Sequence, residues 1–235
     1  LQDCGISVNA RVMPSLDLDV ARRYLAASVQ ILYPNGAFEE TYREFFEPLN
    51  IKSVKPEAPY GLDGTKAWLE GVAGEFGRQR KARAVFKQAA KPFAAGWDAG
   101  RQEAAGHRLA FIVDAAHMRR LTDPAQAWGI PLLRVLREMG FGVQVLCHGK
   151  SVKATEHLRF FNFPEELGKL LEEGHCEAVY SEYAYDSRLS RAGKAQFSLD
   201  CFEIGLGGAV RTLSRLNGIC RWPFKRRYAR YMGQD

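Results

Sequence analysis

Five consecutive apolar residues, Leu109-Ala110-Phe111-Ile112-Val113, run without polar alternation into a single carboxylate, Asp114. A run of that kind is how a strand covered on both faces reads, and such strands belong to parallel sheets with helices on each side. The segments that follow keep the pattern. Residues 127–139 read as a helix, 141–146 as a strand, 164–173 as a helix stopped by Gly174, 178–180 as a strand, 196–199 as a further short strand and 206–216 as a closing helix. The same alternation occurs once before. Residues 6–12 read as a strand, 17–27 as a helix with Ser15 a candidate cap, 29–33 as a strand, 37–46 as helical and 51–54 as a strand. A long helical stretch, 64–105, follows with breaks expected at Pro92 and Gly96. Strand and helix alternating at these spacings predict an α/β fold of two Rossmann-like parallel-sheet units in three αβα layers. The boundary is expected near residue 105, giving units 1–105 and 106–235.

No apolar run approaches the roughly 18 residues that a membrane span needs, so no membrane partner is expected. The five cysteines, Cys4, Cys147, Cys176, Cys201 and Cys220, are scattered without a C-x-x-C pair. That spacing excludes a zinc ribbon and suggests reduced, mostly buried thiols in the cytoplasm. The formal charge of +6 gathers in residues 78–83 and in 221–230. Such patches attract nucleic acid, acidic protein or anionic ligands, or are simply solvated helix faces. Leu1 is not a methionine, and Leu1-Gln2-Asp3-Cys4-Gly5 reads as the end of a helix stopped by glycine. The chain is therefore expected to be the C-terminal fragment of a longer protein.

In open parallel sheets ligands sit beyond the carboxyl ends of the strands, which draws attention to loops 33–37, 55–65, 114–123, 147–153 and 181–186. The most informative is Pro59-Tyr60-Gly61-Leu62-Asp63-Gly64-Thr65-Lys66-Ala67-Trp68-Leu69. Its glycines permit a tight turn, and the helix expected to begin near Thr65 offers unpaired N–H groups to an anion. It has neither the Walker spacing nor G-x-G-x-x-G, so a structural turn and cap is the plainer reading. Asp114 either holds a ligand, acts as a general acid, or caps the backbone that follows it. Glu182 and Asp186 share that ambiguity. His117 and His148 follow strands and either move protons in a cleft or lie on the surface. The arginine- and aromatic-rich tail, 221–231, suits a subunit interface better than single-stranded nucleic acid.

Taken together, these pieces resemble the nitrogenase component 1 family, which includes nitrogenase cofactor-bearing subunits, their cofactor-assembly relatives and the dark-operative protochlorophyllide reductases. Gly5-Ile6-Ser7-Val8-Asn9, the Pro59–Leu69 motif, Leu136-Arg137-Glu138-Met139-Gly140 and Gly205-Leu206-Gly207-Gly208-Ala209 fall in the family's order. The resemblance implies a cavity for a metal cofactor or a tetrapyrrole-like substrate, reduced by electrons from a partner protein. The cofactor-contacting residues it implies are Tyr33, Pro59, Gly61, Gly64, Thr65, Asp114, Cys201, Gly205 and Gly207, with no catalytic residue and no metal ligand assigned. It also implies a homologous partner subunit and an ATP-dependent reductase protein. The family's iron–sulfur cluster is expected in the part of the parent protein before Leu1, so this chain alone is expected to be catalytically silent and to bind no metal stoichiometrically. Two departures stand out. Leu32-Tyr33-Pro34-Asn35 lacks the cysteine of molybdenum-nitrogenase cofactor subunits, and residues 195–204 lack their histidine, although Cys201 lies there. These leave open a non-catalytic scaffold or small-ligand-binding module on the same fold.

Overall fold

A computed structural model describes residues 1–12, 17–149, 157–181 and 186–222. After a short 3-10 turn, Gln2–Cys4, closed by Gly5 in the left-handed region, residues 6–12 form no regular element. The expected strand there is a correction: among the described residues no strand pairs with it. Instead the Arg78 guanidinium donates to the carbonyls of Cys4 (3.0 Å) and Gly5 (2.7 Å), tying the segment to a distant helix. Helix α1 (Leu18–Leu25) is capped by Asp17, whose carboxylate accepts from the Val20 N–H at 2.7 Å. Ser15, the expected cap, lies outside the described residues.

Strand β1 (Val29–Ile31) pairs in parallel with β2 (Lys52–Val54). Between them lies a helical segment that changes pitch, 3-10 at Gly36–Phe38, α2 at Glu39–Thr41 and π at Tyr42–Phe46. Phe38, Tyr42 and Phe46 pack along it, tilted and edge to face. The small sheet is held by a buried amide. Gln30 donates to the Phe46 carbonyl (2.9 Å) and the Ser53 hydroxyl (2.7 Å), and accepts from the Tyr24 hydroxyl. A buried polar group satisfied from three elements fixes their register.

Helices α3 (Gly61–Gly74) and α4 (Gln79–Ala104) replace the single long stretch read from sequence. The break falls at residues 75–78, where Gly77 takes φ 66°, and not at Pro92 or Gly96. Pro92 is exposed inside α4, and the Gln88 carbonyl that it leaves without a donor belongs to another exposed residue. Gly96 and Gly100 lie against a later helix.

The large sheet contains β3 (Arg108–Asp114), β4 (Gly142–His148), β5 (Leu158–Phe161), β6 (Ala178–Tyr180) and β7 (Ala195–Phe197), all parallel, in the order β5-β4-β3-β6-β7. Its helices are α5 (Leu132–Glu138), α6 (Pro164–Glu173), α7 (Ser187–Arg191) and α8 (Gly205–Arg221). Leu109 and Phe111 pack into one core with α5 and α8, while Ala110, Leu146 and Val179 pack into another with α6 and α7. The sheet is thus the middle of three layers. Strand β5 and helix α7 were not expected. The first is an edge strand with only Phe161 buried, and the second is too short to show a helical period. Helix α5 is shorter than expected, because Gly129 (φ 78°) and Pro131 hold residues 127–131 in a turn. No helix of the described residues is long and apolar enough to cross a membrane.

Candidate functional site

Strand order reverses between β3 and β6, the kind of place where an open α/β sheet leaves a crevice. A cleft of about 730 Å³ opens there, beyond the carboxyl ends of β3, β6 and β7. Its floor is aromatic and aliphatic, with Val113, Tyr180 and Phe197 supplied by the three strands. Polar groups converge from Arg120, Ser181, Gln196 and Ser198, and Cys201 reaches in from the turn before α8. Ser181 is anchored from behind. Its hydroxyl donates to buried Asp186 (3.0 Å), which also takes a two-pronged ion pair from Arg188 (2.9 and 2.6 Å). That guanidinium, then burial acting against it, leaves the Asp186 carboxyl below its ordinary range. Asp186 is therefore a charged anchor for the cleft wall. Glu182 lies outside the described residues.

Trp128 stands at the mouth of the cleft. It is 59% exposed and is the only non-glycine with positive φ among the described residues, at 53°. An L-residue there carries a penalty of roughly 1–2 kcal/mol. What imposes the conformation is visible. The Tyr33 hydroxyl donates to the Trp128 carbonyl at 3.0 Å, and the Tyr33 ring lies so close to Gly129 that a Cβ there would fall 2.8 Å from it. Strained residues of this kind cluster where ligands are held.

Tyr33 in turn bonds the Tyr60 hydroxyl at 2.9 Å, and burial followed by that bond raises its phenol far above the ordinary range. Tyr60 bridges Ile204, and the Gly205 N–H donates to the Pro59 carbonyl at 2.8 Å. So the structure joins the two glycine motifs, Pro59-Tyr60-Gly61 and Ile204-Gly205, at the starts of α3 and α8. Gly61 (φ 72°) and Gly205 (φ 80°) both use the left-handed region to make these starts.

Helix α3 begins at Gly61, earlier than expected, so Thr65 is not its cap. The Thr65 hydroxyl instead donates to the carbonyls of Pro59 (3.0 Å) and Gly61 (2.6 Å). The N–H groups expected to meet a ligand already have an anion. The Glu138 carboxylate, from the end of α5, accepts from Leu62 (2.8 Å) and Asp63 (2.9 Å). Gly64 is buried against the Ala58 carbonyl, and Gly207 faces Phe93 of α4. Of the residues named from sequence, then, only Cys201 lines the cleft. Tyr33, Pro59, Gly61, Gly64, Thr65 and Gly205 form the tie beside it, and Gly207 belongs to helix packing. Asp114 caps its own turn, accepting from the His117 N–H and imidazole (2.8 Å each), which lowers its carboxyl pKa. His148 lies against Phe161.

Glu138 gives a pH test. Burial is the largest influence on its carboxyl and, helped by Asp63, raises the pKa against the opposing backbone N–H bonds and Arg134. A carboxyl raised in the folded state contributes stability that is full below its unfolded pKa and is lost as pH rises through the folded value. Glu138→Gln keeps an acceptor for Leu62 and Asp63 without that loss. Urea denaturation is expected to show the variant gaining on the parent as pH climbs from about 4 toward neutrality. Parallel pH profiles would contradict this.

Trp128, Gln196 and Glu138 were missed as site residues from sequence, and Arg120 was not named although loop 114–123, which carries it, was. For Trp128 the signal was present: Gly129 and Pro131 argue against a helix there.

Burial raises the thiols of Cys147, Cys176, Cys201 and, to about 12, Cys220. Among the described residues no group of three or more His, Cys, Asp or Glu side chains could hold a metal ion.

No curated protein matches the chain. Among solved structures it is similar to nitrogenase Cp1 at pH 6.5, with a TM-score of 0.63 and 11% identity, covering 99% of this chain and 56% of that one. The chain thus spans little more than half the length of that relative. A periplasmic metal binding protein from Candidatus Liberibacter asiaticus is similar at a TM-score of 0.49 and 9% identity, covering 90% of this chain and 87% of that one. The nitrogenase component 1 type oxidoreductase family matches residues 1–197, and the chain belongs to that family.

Proposed function

We propose that the chain forms one wall of the ligand cavity of a nitrogenase-like oxidoreductase subunit, and that its cleft receives a tetrapyrrole-like substrate that a partner reductase protein supplies with electrons. The observation that carries this reading is Trp128, an exposed indole held in a strained conformation at the mouth of a cleft on the switch point of the sheet. An indole face binds a planar conjugated ring by stacking, for about 0.5–1.5 kcal/mol beyond burial. Arg120, at the same cleft, suits a carboxylate substituent. A metal cofactor fits less well. Among the described residues Cys201 is the one cysteine lining the cleft, so a soft metal there would find a single thiol. The homologous partner subunit belongs to the same proposal.

The chain's own work in this reading is to bind, orient and shield. Val113, Tyr180 and Phe197 exclude water from one side of the ligand, and Ser181 and Gln196 fix its edge. The test is a titration with protoporphyrin, read by quenching of tryptophan fluorescence and by the porphyrin absorbance band. Trp128→Gly is expected to weaken binding about tenfold, the equivalent of 1.4 kcal/mol. The same change is expected to leave the fold as stable or up to about 1 kcal/mol more stable, since glycine accepts the positive φ. Cys201→Ser is expected to bind as the parent does. Unchanged affinity in Trp128→Gly would remove the basis of the reading, and loss of binding in Cys201→Ser would favour a metal-dependent ligand instead.

A further inference from the structure

Helix α4 has one face against α8, where Gly96 meets Val210 and Gly100 meets Leu213. A second face is left open beside α3. The two helices bound a groove of about 540 Å³, lined along α4 from Arg83 through Phe86, Lys87 and Lys91 to Asp98, a span of about 22 Å at helical rise. The floor is apolar, made by Leu62, half-buried Phe86 and buried Trp97. Its rim carries Lys66 from α3 and Lys87 and Lys91 from α4, all exposed, and none has a carboxylate partner among the described residues. Arg83, by contrast, is already engaged by Glu70 at 2.9 Å. Three unpaired ammonium groups therefore stand over an apolar trough with a single carboxylate, Asp98, at one end. This is also where the basic run of residues 78–83 leads.

We propose that the α3–α4 groove docks an acidic amphipathic helix of a protein partner. Its length matches a helix of about four turns, its floor matches one apolar stripe, and its rim complements carboxylates flanking that stripe. A nucleic acid fits less well. Binding of single strands needs exposed ring faces for stacking, and here Trp97 is buried and Phe86 half-buried. The site lies apart from the switch-point cleft and does not depend on what that cleft holds.

The experiment uses the chain and a fluorescein-labelled helical peptide of about 16 residues, leucine on one face and glutamate on the other. Anisotropy is expected to show saturable binding that weakens with added salt, with no binding of the matching leucine–lysine peptide. The combined variant Lys66→Glu, Lys87→Glu, Lys91→Glu is expected to lose at least tenfold in affinity. All three side chains are exposed, so its thermal unfolding should stay within a few degrees of the parent, about the effect of a surface change. Phe86→Leu, which keeps an apolar floor, is expected to retain binding. Equal affinity in the triple variant would overturn the proposal. So would a thymidine oligonucleotide of equal charge binding as tightly through the same lysines, or self-association of the chain that the triple variant abolishes.

Discussion

Replacing Gly61 with valine is expected to lower the stability of the chain by about 3 kcal/mol, combining a strained left-handed β-branched residue with two displaced hydrogen bonds. Gly61 has φ 72°, and a Cβ at that position would fall within 2.9 Å of the Glu138 carboxyl carbon and closer still to one oxygen. The carboxylate cannot stay. Once it leaves, the Leu62 and Asp63 N–H groups lose their acceptor at the start of α3. Two comparisons separate the causes. Gly61→Ala combined with Glu138→Ala removes the clash and the acceptor together, so any loss beyond that of Glu138→Ala alone reports the backbone. Urea unfolding of the four chains measures both. A Gly61→Val variant as stable as the parent would mean that the tie between α3 and α5 contributes nothing.

Phe111→Ala is expected to cost about 3–5 kcal/mol, the range for emptying a fully buried aromatic site. Phe111 lies on the central strand at 0% exposure, its ring 5.4 Å from that of Tyr180 and 5.6 Å from that of Phe197. Both of those rings line the cleft. The substitution should therefore lower stability and, at temperatures where the variant is still folded, weaken porphyrin binding as well. Phe111→Leu should lose much less of each, because it keeps most of the volume. A loss below about 1 kcal/mol in the alanine variant would mean that the sheet collapses onto the gap.

The centre of the large sheet was legible because its strands β3 and β6 are covered on both faces. Leu109 to Val113 and Ala178 to Tyr180 are apolar without interruption, and that signature survives any packing detail. The two-stranded sheet and the segment before it were harder. Residues 6–12 alternate like a strand, but alternation says nothing about whether a partner strand is present to take the hydrogen bonds. Pro92 looked like a helix end because its missing N–H is a local fact, whereas its exposure, which makes the missing bond tolerable, is a tertiary one. The same limit governed the site. Gly61, Gly205 and Tyr33 were singled out for a ligand, and the structure joins them to one another. That glycines make a tight turn before α3 was readable, although the positive φ belongs to Gly61 and not to Gly64, and the carboxylate of Glu138 that fills the α3 start comes from a helix far along the chain. Cys201 reached the cleft because a loop after the last strand must pass the carboxyl edge of a parallel sheet.

Strand β3 is the first of the large sheet to be synthesised and ends at its centre, with β4 and β5 added on one side before β6 and β7 close the other. The cleft takes its walls from β3, β6 and β7, so it does not exist until the last strand is seated. The proposed ligand would meet all of these walls only once β7 is in place. At a hundredfold excess over its dissociation constant it adds about 2.7 kcal/mol to the folded state. If the proposed ligand fills the cleft, chains made where it is scarce lack that added stability and are the first that proteases reach.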